Sequence, residues 1–169
     1  MHIREGNIQD WPFIYELAQK VIPDSVSPWR QQAIEETIKF RDKNLAGLWN
    51  RMQQTNSQVF IAEKTEGKNR LKLGYLILCP ETIEELTGLG QAWIMDIAVI
   101  PFQRNSGAAT ALLESAEKYC RESRIDYLGL AVSSHNLKAL RLYEKLGFAE
   151  ERKLMVKVLK KSLRQLGRK

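Results

Sequence analysis

The hydrophobic pattern along the chain switches between two periods. Apolar residues crowd two short runs, QVFIAEK from Gln58 and LKLGYLILC from Leu71, on either side of the turn-forming stretch TEGKNR. That arrangement predicts an antiparallel hairpin. HIRE, from His2, reads as a short first strand. Between Asn7 and Ile22 the period changes. Trp11, Ile14, Leu17, Ala18 and Val21 return at helical spacing, so a helix is expected there. PDSVSP interrupts it, and Ser27 is placed to cap the next helix with Pro28 in its first turn. That second helical region extends to about Met52 along a stripe of Ile34, Ile38, Leu45, Leu48, Trp49 and Met52, with a break at Asn44 or Gly47.

The second half is organised differently. PETIEELTGLGQ is a polar connection, and AWIMDIAVI after it is almost continuously apolar, as in a strand covered on both faces. Ala108–Arg124 has a helical period, DYLGLAV is another buried strand, and Asn136–Leu146 is a short helix that Gly147 stops. FAEERKLMVKVL supplies one or two last strands before the basic KKSLRQLGRK. The order predicts a mixed α/β sheet with helices on both faces. Its later strands, joined by helical crossovers from Ala92 onward, should be parallel and right-handed.

Size and composition narrow this picture. At 169 residues, 44% hydrophobic and 27% charged, the chain suits one globular domain over residues 1–169 with a short basic C-terminal tail. A net charge of +6 favours anionic partners: nucleic acid, anionic lipid or a phosphate-rich small molecule. MHIREGNIQDW has no apolar core of signal-peptide type, and no apolar run approaches the ~20 residues of a membrane helix. Cys79 and Cys120 read as reduced packing thiols, which points to the cytoplasm. His2 and His135 are too isolated for a metal site.

Candidate chemistry begins where the apolar strand meets the next helix, in VIPFQRNSGAATALL. The first turn of a helix has backbone N–H groups with no partner inside the helix, and they carry the positive end of its dipole. Gly107, Ala108 and Ala109 leave those groups bare, Arg104 adds charge, and Asn105 and Ser106 add donors, so the loop is built to hold an anion. Small residues at a helix start also serve close packing on a sheet. The loop lacks GxxxxGK[ST] and GxGxxG, which excludes a nucleoside-triphosphate P-loop and a dinucleotide fingerprint. A second block, SSHNLKALRLYEKLGF, follows the next buried strand. It places Asn136 and Tyr143 on one helix face, with Ala139, Leu142 and Leu146 on the side meeting the sheet. Taken singly, Asn136 fits a helix cap and Tyr143 a half-buried packing residue.

Together the blocks resemble the GNAT superfamily of acetyl-CoA-dependent N-acyltransferases. Pro101, Arg104, Gly107 and Ala109 match its loop pattern, and Asn136, Ala139, Tyr143, Leu146, Gly147 and Phe148 match its later one. The motif match covers Trp93–Phe148, and the element order agrees over nearly the whole chain. The resemblance implies a centrally splayed sheet, with acetyl-CoA as co-substrate, no metal, and the cofactor entering between strands that part near Val99 and Val132. It implies that the stretch Ile97, Ala98, Val99 lies along the pantetheine arm, Ile97 and Val99 pairing with it. The N–H groups of Arg104, Asn105, Ser106, Gly107, Ala108 and Ala109 hold the diphosphate, Asn136 contacts the arm, and Tyr143 faces the sulfur as proton donor.

The base is less defined. Asp96 is the one charge in its apolar strand, and a buried carboxylate is paired or functional. Alternation sets it opposite Met95 and Ile97 unless a bulge re-aims it. Met95 occupies the position that is acidic in polyamine acetyltransferases resembling this chain. Glu81, Glu84 and Glu85, or a water chain, are the alternatives, and a solvated acidic loop is the plainer reading of those glutamates. Ala131 stands where protein N-terminal acetyltransferases of the ribosomal-protein type carry glutamate, which argues against that subgroup. The expected activity is acetyl transfer to a primary amine of a small-molecule or peptide acceptor by direct attack in a ternary complex. The alternatives are an acyl-CoA-binding module without turnover, and a nucleic-acid- or ribosome-associated protein using Arg152, Lys153, Lys157, Lys160, Lys161, Arg164, Arg168 and Lys169. For that cluster a solvated face is the simpler account. No membrane partner is expected, and a homodimer is left open.

Overall fold

The computed structural model describes residues 1–30, 32–67 and 69–159. Five strands form one sheet in the order β1-β2-β3-β4-β5: β1 His2–Glu5, β2 Gln58–Glu66, β3 Asn69–Ile83, β4 Gly90–Val99 and β5 Leu128–Leu130. The first four are antiparallel in sequence order, and β5 runs parallel to β4. The helices are α1 Trp11–Lys20, α2 Ile22–Ser25, α3 Ile34–Ala46, α4 Leu48–Gln54, α5 Ala108–Glu122 and α6 Leu137–Lys145. The predicted mixed sheet, with helices on both faces and a parallel pair late in the chain, is the observed architecture.

Two cores sandwich the sheet. On one face Phe60, Leu76, Leu78, Ala92 and Ile94 bury against Leu112, Leu113 and Ala116 of α5. On the other, Ile61, Tyr75, Ile77 and Ala98 bury against Ile14 and Leu17 of α1, Leu45 of α3 and Met52 of α4. This arrangement accounts for the continuous apolar run in β4. Alternation sends its side chains to opposite faces, and both faces are covered.

A single irregularity in β4 decides which way the end of the strand faces. Leu78 pairs with Ile94 and Ile77 with Asp96, so Met95 is one extra residue bulging from the ladder. The bulge reverses the alternation. Before it, the even positions Ala92 and Ile94 face α5; after it, Ile97 and Val99 pack on that side and Ala98 turns to the α1 side. The β4–β5 ladder also ends there, with Ile94 opposite Leu130, while β4 continues to Val99.

Several local expectations need correction. Ser27 does not cap a helix: Ser27–Arg30 is a turn, and α3 starts at Ile34 after Ala33, with no side-chain cap. The helical region divides at Gly47 and not at Asn44. The polar connection shrinks to a tight turn, because β3 runs on to Ile83, β4 starts at Gly90, and Glu84 braces the crossing. Pro80, which has no N–H to give the ladder, falls inside the register shift between Cys79 and Thr82. The last strands are not found: among the described residues, 149–159 has no strand pairing, and Leu154, Met155 and Leu159 are exposed. Alternating apolar residues give strand propensity, but a strand exists only where a neighbour takes its N–H and C=O groups.

Candidate active site

The chain leaves β4 at Val99, makes one 3₁₀ turn over Pro101–Gln103 and enters α5. Asn105 (φ 64°) and Gly107 (φ 85°) both take the left-handed conformation, which turns the loop back on itself. A Cβ built on Gly107 meets nothing within 4 Å, so the space before the helix is open. Among the described residues, the backbone N–H groups from Asn105 to Thr110 meet no acceptor; the first to do so is Ala111, which donates to Gly107 at 3.0 Å. Ala108 is buried in the core beneath α5, while Asn105, Ser106 and Gly107 are exposed. Close packing and bareness therefore divide between neighbouring small residues. The Arg104 guanidinium donates from Nη2 to Asp24 Oδ2 of α2 at 2.5 Å.

Upstream, the edge of β4 beyond Ile94 is open among the described residues. Ile100 N–H donates to Leu73 at 2.8 Å, which sets the antiparallel alternation. Ala98, in register with Tyr75, directs its backbone groups toward β3; Ile97 and Val99 direct theirs to the other side, where β5 has already ended. Gly74 lets β3 approach here, since a Cβ would lie 2.4 Å from the Ala98 carbonyl oxygen.

Asp96 projects from this stretch toward the α1–α3 side, opposite Ile97. Its Oδ2 accepts from Arg41 Nη2 of α3 at 2.6 Å and from the Tyr75 hydroxyl of β3 at 3.1 Å. Burial pushes its carboxyl above the usual carboxylate range, against the opposing pull of Arg41, Tyr75 and the Ile97 N–H. The same desolvation, reinforced by the Asp96 charge, pushes the Tyr75 phenol well up.

Tyr143 stands on α6, half-buried, edge-on to Phe148 at 5.7 Å between ring centroids. Its phenol is raised by burial and then by the charge of Asp96, so it stays protonated through the neutral range with Asp96 in electrostatic reach. No hydrogen-bond partner meets its hydroxyl among the described residues. Asn136 precedes the first helical residue of α6 as its N-cap, and its Oδ1 accepts from Ala139 N–H at 3.3 Å. Among the described residues its Nδ2 group meets no acceptor. Gly147 (φ 88°) ends α6 as expected.

Tyr143 opens onto a cleft of about 1790 Å³ that is also lined by Trp29, Glu84, Glu85, Trp93 and Ala131. Neither the Arg104–Ala109 loop nor Asp96 lines it. Of the three loop glutamates, Glu84 is spent on its own turn: it accepts from the Thr87 N–H and hydroxyl, both at 2.7 Å, and pairs with Arg152. Glu81 accepts from Asn56 at 2.9 Å, and Glu85 alone stays exposed beside the cleft. In the basic segment, Arg152 is thus neutralised, Lys153 pairs with Glu150 at 3.2 Å, and Lys160, Lys161, Arg164, Arg168 and Lys169 lie outside the described residues. Cys79 and Cys120 are buried and unpaired. Among the described residues no helix is long and apolar enough to cross a membrane, and no cluster of metal-ligating side chains forms.

Sequence reading missed Arg41, Tyr75 and Asp24, the partners of Asp96 and Arg104. Tyr75 carries the only side-chain hydroxyl in the apolar run LGYLIL, which could have flagged it. Nothing local marks Arg41 or Asp24.

The model of the acetyltransferase (GNAT) family matches residues 11–148. The uncharacterized N-acetyltransferase YhfO of Bacillus subtilis (strain 168) is 31% identical over 101 residues, which cover 60% of this chain and 64% of YhfO. YxbD of the same organism is 44% identical over 48 residues, 28% of this chain and 30% of YxbD. The chain thus spans less than two thirds of the length of these curated relatives. Among solved structures, a mutant of the BH1408 protein of Bacillus halodurans superposes with a TM-score of 0.71 at 19% identity, covering 94% of this chain and 99% of that one. AAC(6')-Iy, solved with the bisubstrate analog CoA-S-monomethyl-acetylneamine, superposes with a TM-score of 0.67 at 15% identity, covering 94% and 97%. At these identities the structures speak for the fold, which is the one described above. The family match spans far more than half of the sequence and includes both the bare helix mouth and the Tyr143 helix; the chain belongs to the GNAT acetyltransferase family.

Proposed function

We propose that the protein transfers the acetyl group of acetyl-CoA to a primary amine of a small-molecule or peptide acceptor, by direct attack in a ternary complex. One observation carries this reading. Among the described residues, six consecutive backbone N–H groups, Asn105 to Thr110, lack acceptors at the mouth of α5, directly beyond an open strand edge at Ile97 and Val99. A helix mouth of that kind fits a diphosphate, and the open edge fits an amide-bearing arm. Acetyl-CoA supplies the activated thioester.

The remaining roles belong to the chain. Asn105 to Ala109 bind the diphosphate through their N–H groups, with Arg104 beside them. Ile97, Ala98 and Val99 orient the arm, and Asn136 offers its free amide from α6. A donor near Val99 faces the negative charge that develops on the carbonyl oxygen. An alkylammonium has a pKa of ~10.4 and must lose its proton before attack. Asp96 takes that proton, and its raised pKa makes it a better base than an ordinary carboxylate. Tyr143, still protonated, donates to the departing sulfur. Holding both reactants in one geometry supplies much of the remaining rate.

The test is release of free thiol from acetyl-CoA across a panel of primary amines, with mass spectrometry of the products. Acetylated amine is the expected result. Tight CoA binding without thiol release over the whole panel would leave a binding module without turnover. Gly107→Glu, which puts a negative side chain before the helix mouth, should weaken CoA binding at least tenfold by calorimetry; undiminished affinity would move the diphosphate elsewhere.

A further inference from the structure

Asp96 is the only charged side chain on β4, and the hydrogen bonds that hold it are uneven. Arg41 and Tyr75 both donate to Oδ2, and no side-chain donor reaches Oδ1 among the described residues. Tyr75 is fully buried in β3 and fixed there. Arg41 is not. It belongs to α3, which packs on α1, α2 and α4, buries only Leu45, and sends this one long side chain across to β4. The Arg41 side chain is 38% exposed, while that of Asp96 is 18% exposed. Arginine keeps its charge at every ordinary pH and cannot accept a proton. As long as it sits on Oδ2, it compensates the charge without contributing to proton transfer.

A second contact has the same logic with the signs reversed. Asp24, from α2 in the same stretch of chain, places its carboxylate on Arg104, the cation of the loop that would face a diphosphate. Ser133 Oγ, in the loop after β5, donates to the Ser25 carbonyl at 2.5 Å and ties α2 across to that loop. One segment, α2 to α3, thus supplies an anion where an anionic ligand would bind and a cation where a cationic one would bind.

We propose that Arg41 holds the place of the acceptor's ammonium group at Asp96, and that the acceptor is a cationic primary amine which enters by displacing it. The inference rests on the acetyltransferase reading and narrows its acceptor class. The incoming ammonium inherits the Asp96 carboxylate, gives it a proton and becomes the nucleophile, while Arg41 swings to solvent on α3. The groups facing Asp96 are Arg41 from α3, Tyr75 from β3, Tyr143 from α6 and the Ile97 N–H of its own strand. Of the two side chains that hydrogen-bond Asp96, Tyr75 is fully buried and Arg41 is partly in solvent.

Arg41→Gln and Arg41→Lys separate displacement from permanent support. In Arg41→Gln, Asp96 loses its cation, so the acidic limb of the pH–rate profile moves to higher pH. Above that limb the KM for a cationic amine should fall about three- to tenfold, since no competitor needs to be displaced. KM for an aromatic amine that is neutral at the same pH should not change, and Arg41→Lys should behave like the parent. The same displacement is read without turnover by calorimetric titration with 1,4-diaminobutane, with 1,4-butanediol as neutral control. The diamine should bind Arg41→Gln several-fold more tightly than the parent above the limb, and the diol should bind neither. Two results overturn the proposal: a diamine that binds the variant no tighter than the parent, or a loss of turnover in Arg41→Gln at every pH that Arg41→Lys restores. If amines are acetylated and the titration shows no gain, the enzymatic reading stands and this inference falls. If CoA binds, no amine is acetylated and the titration shows the gain, the enzymatic reading falls and the cation exchange at Asp96 stands.

Discussion

Two aspartates, Asp10 and Asp96, are held by arginines in opposite ways. Asp10, 1% exposed, sits at the start of α1. Arg4 of β1 grips it with two nitrogens at 2.7 and 2.8 Å, Lys72 of β3 adds a third contact at 2.6 Å, and the Asn7 N–H a fourth at 3.0 Å. Arg4 also reaches Glu63 at 2.8 Å. The Arg4 hydrogen bonds outweigh burial and hold the Asp10 carboxyl well below the usual range. Asp96 has one cation and one phenol, both on the same oxygen, and burial wins, so its carboxyl is raised. The number and placement of donors, rather than burial as such, decides whether a buried carboxylate is a rivet or a base. The first cluster fastens β1, α1 and β3. The second is left unfinished beside the candidate site.

That contrast can be broken experimentally. Asp96→Asn should lower turnover on the order of 10²–10⁴-fold, with the thermal midpoint kept or raised because an under-compensated buried charge is gone. Activity equal to the parent's across the pH range would remove Asp96 as base. Asp10→Asn should do the reverse. Removing one partner of a buried pair costs about 3–5 kcal/mol, read by urea unfolding, with the turnover of the remaining folded molecules unchanged. A stability equal to the parent's would contradict its role as a fastening.

Tyr143→Phe should reduce turnover roughly 10²-fold while leaving the dissociation constant of CoA within a factor of two. An equal loss in binding would make Tyr143 a contact residue instead. The pH dependence of stability sharpens the comparison further. Folded Asp10 binds its proton less readily than the unfolded chain does. Its contribution is therefore complete above the unfolded pKa of about 3.9 and is lost as the pH falls toward the lower folded value. Folded Asp96 binds its proton more readily, so its contribution declines as the pH rises through the raised pKa. Urea midpoints from pH 3 to 8 should lose their acid-side fall in Asp10→Asn and their higher-pH decline in Asp96→Asn. The smallest effect belongs to Tyr75→Phe. The lost hydrogen bond had lowered the Asp96 pKa, so the acidic limb of the rate profile should move to higher pH.

Local pattern was informative where residues near in sequence answer for each other. The hairpin of β2 and β3, the strand-to-helix turn at Gly107 and the Gly147 stop are all set within a few residues by turn chemistry and periodicity. So is the element order that led to the family. The same reasoning failed for the last strands, because an alternating sequence at 154–158 offers one side of a ladder and no neighbour for it is found among the described residues. It also failed at Ser27, where a residue suited to cap a helix was used in a turn.

The sequence alone determined which residues could take part: a bare helix mouth, one carboxylate in an apolar strand, one tyrosine on the helix beyond. Only the tertiary structure decided what each one meets. Arg41 lies 55 positions from Asp96, Tyr75 21 positions, and Asp24 80 positions from Arg104. The bulge at Met95 both reverses the strand's faces and coincides with the end of the β5 ladder. Periodicity records which side of an element avoids water. A proton's affinity depends on charges within a few ångströms, and those are brought together by packing between elements far apart in the chain.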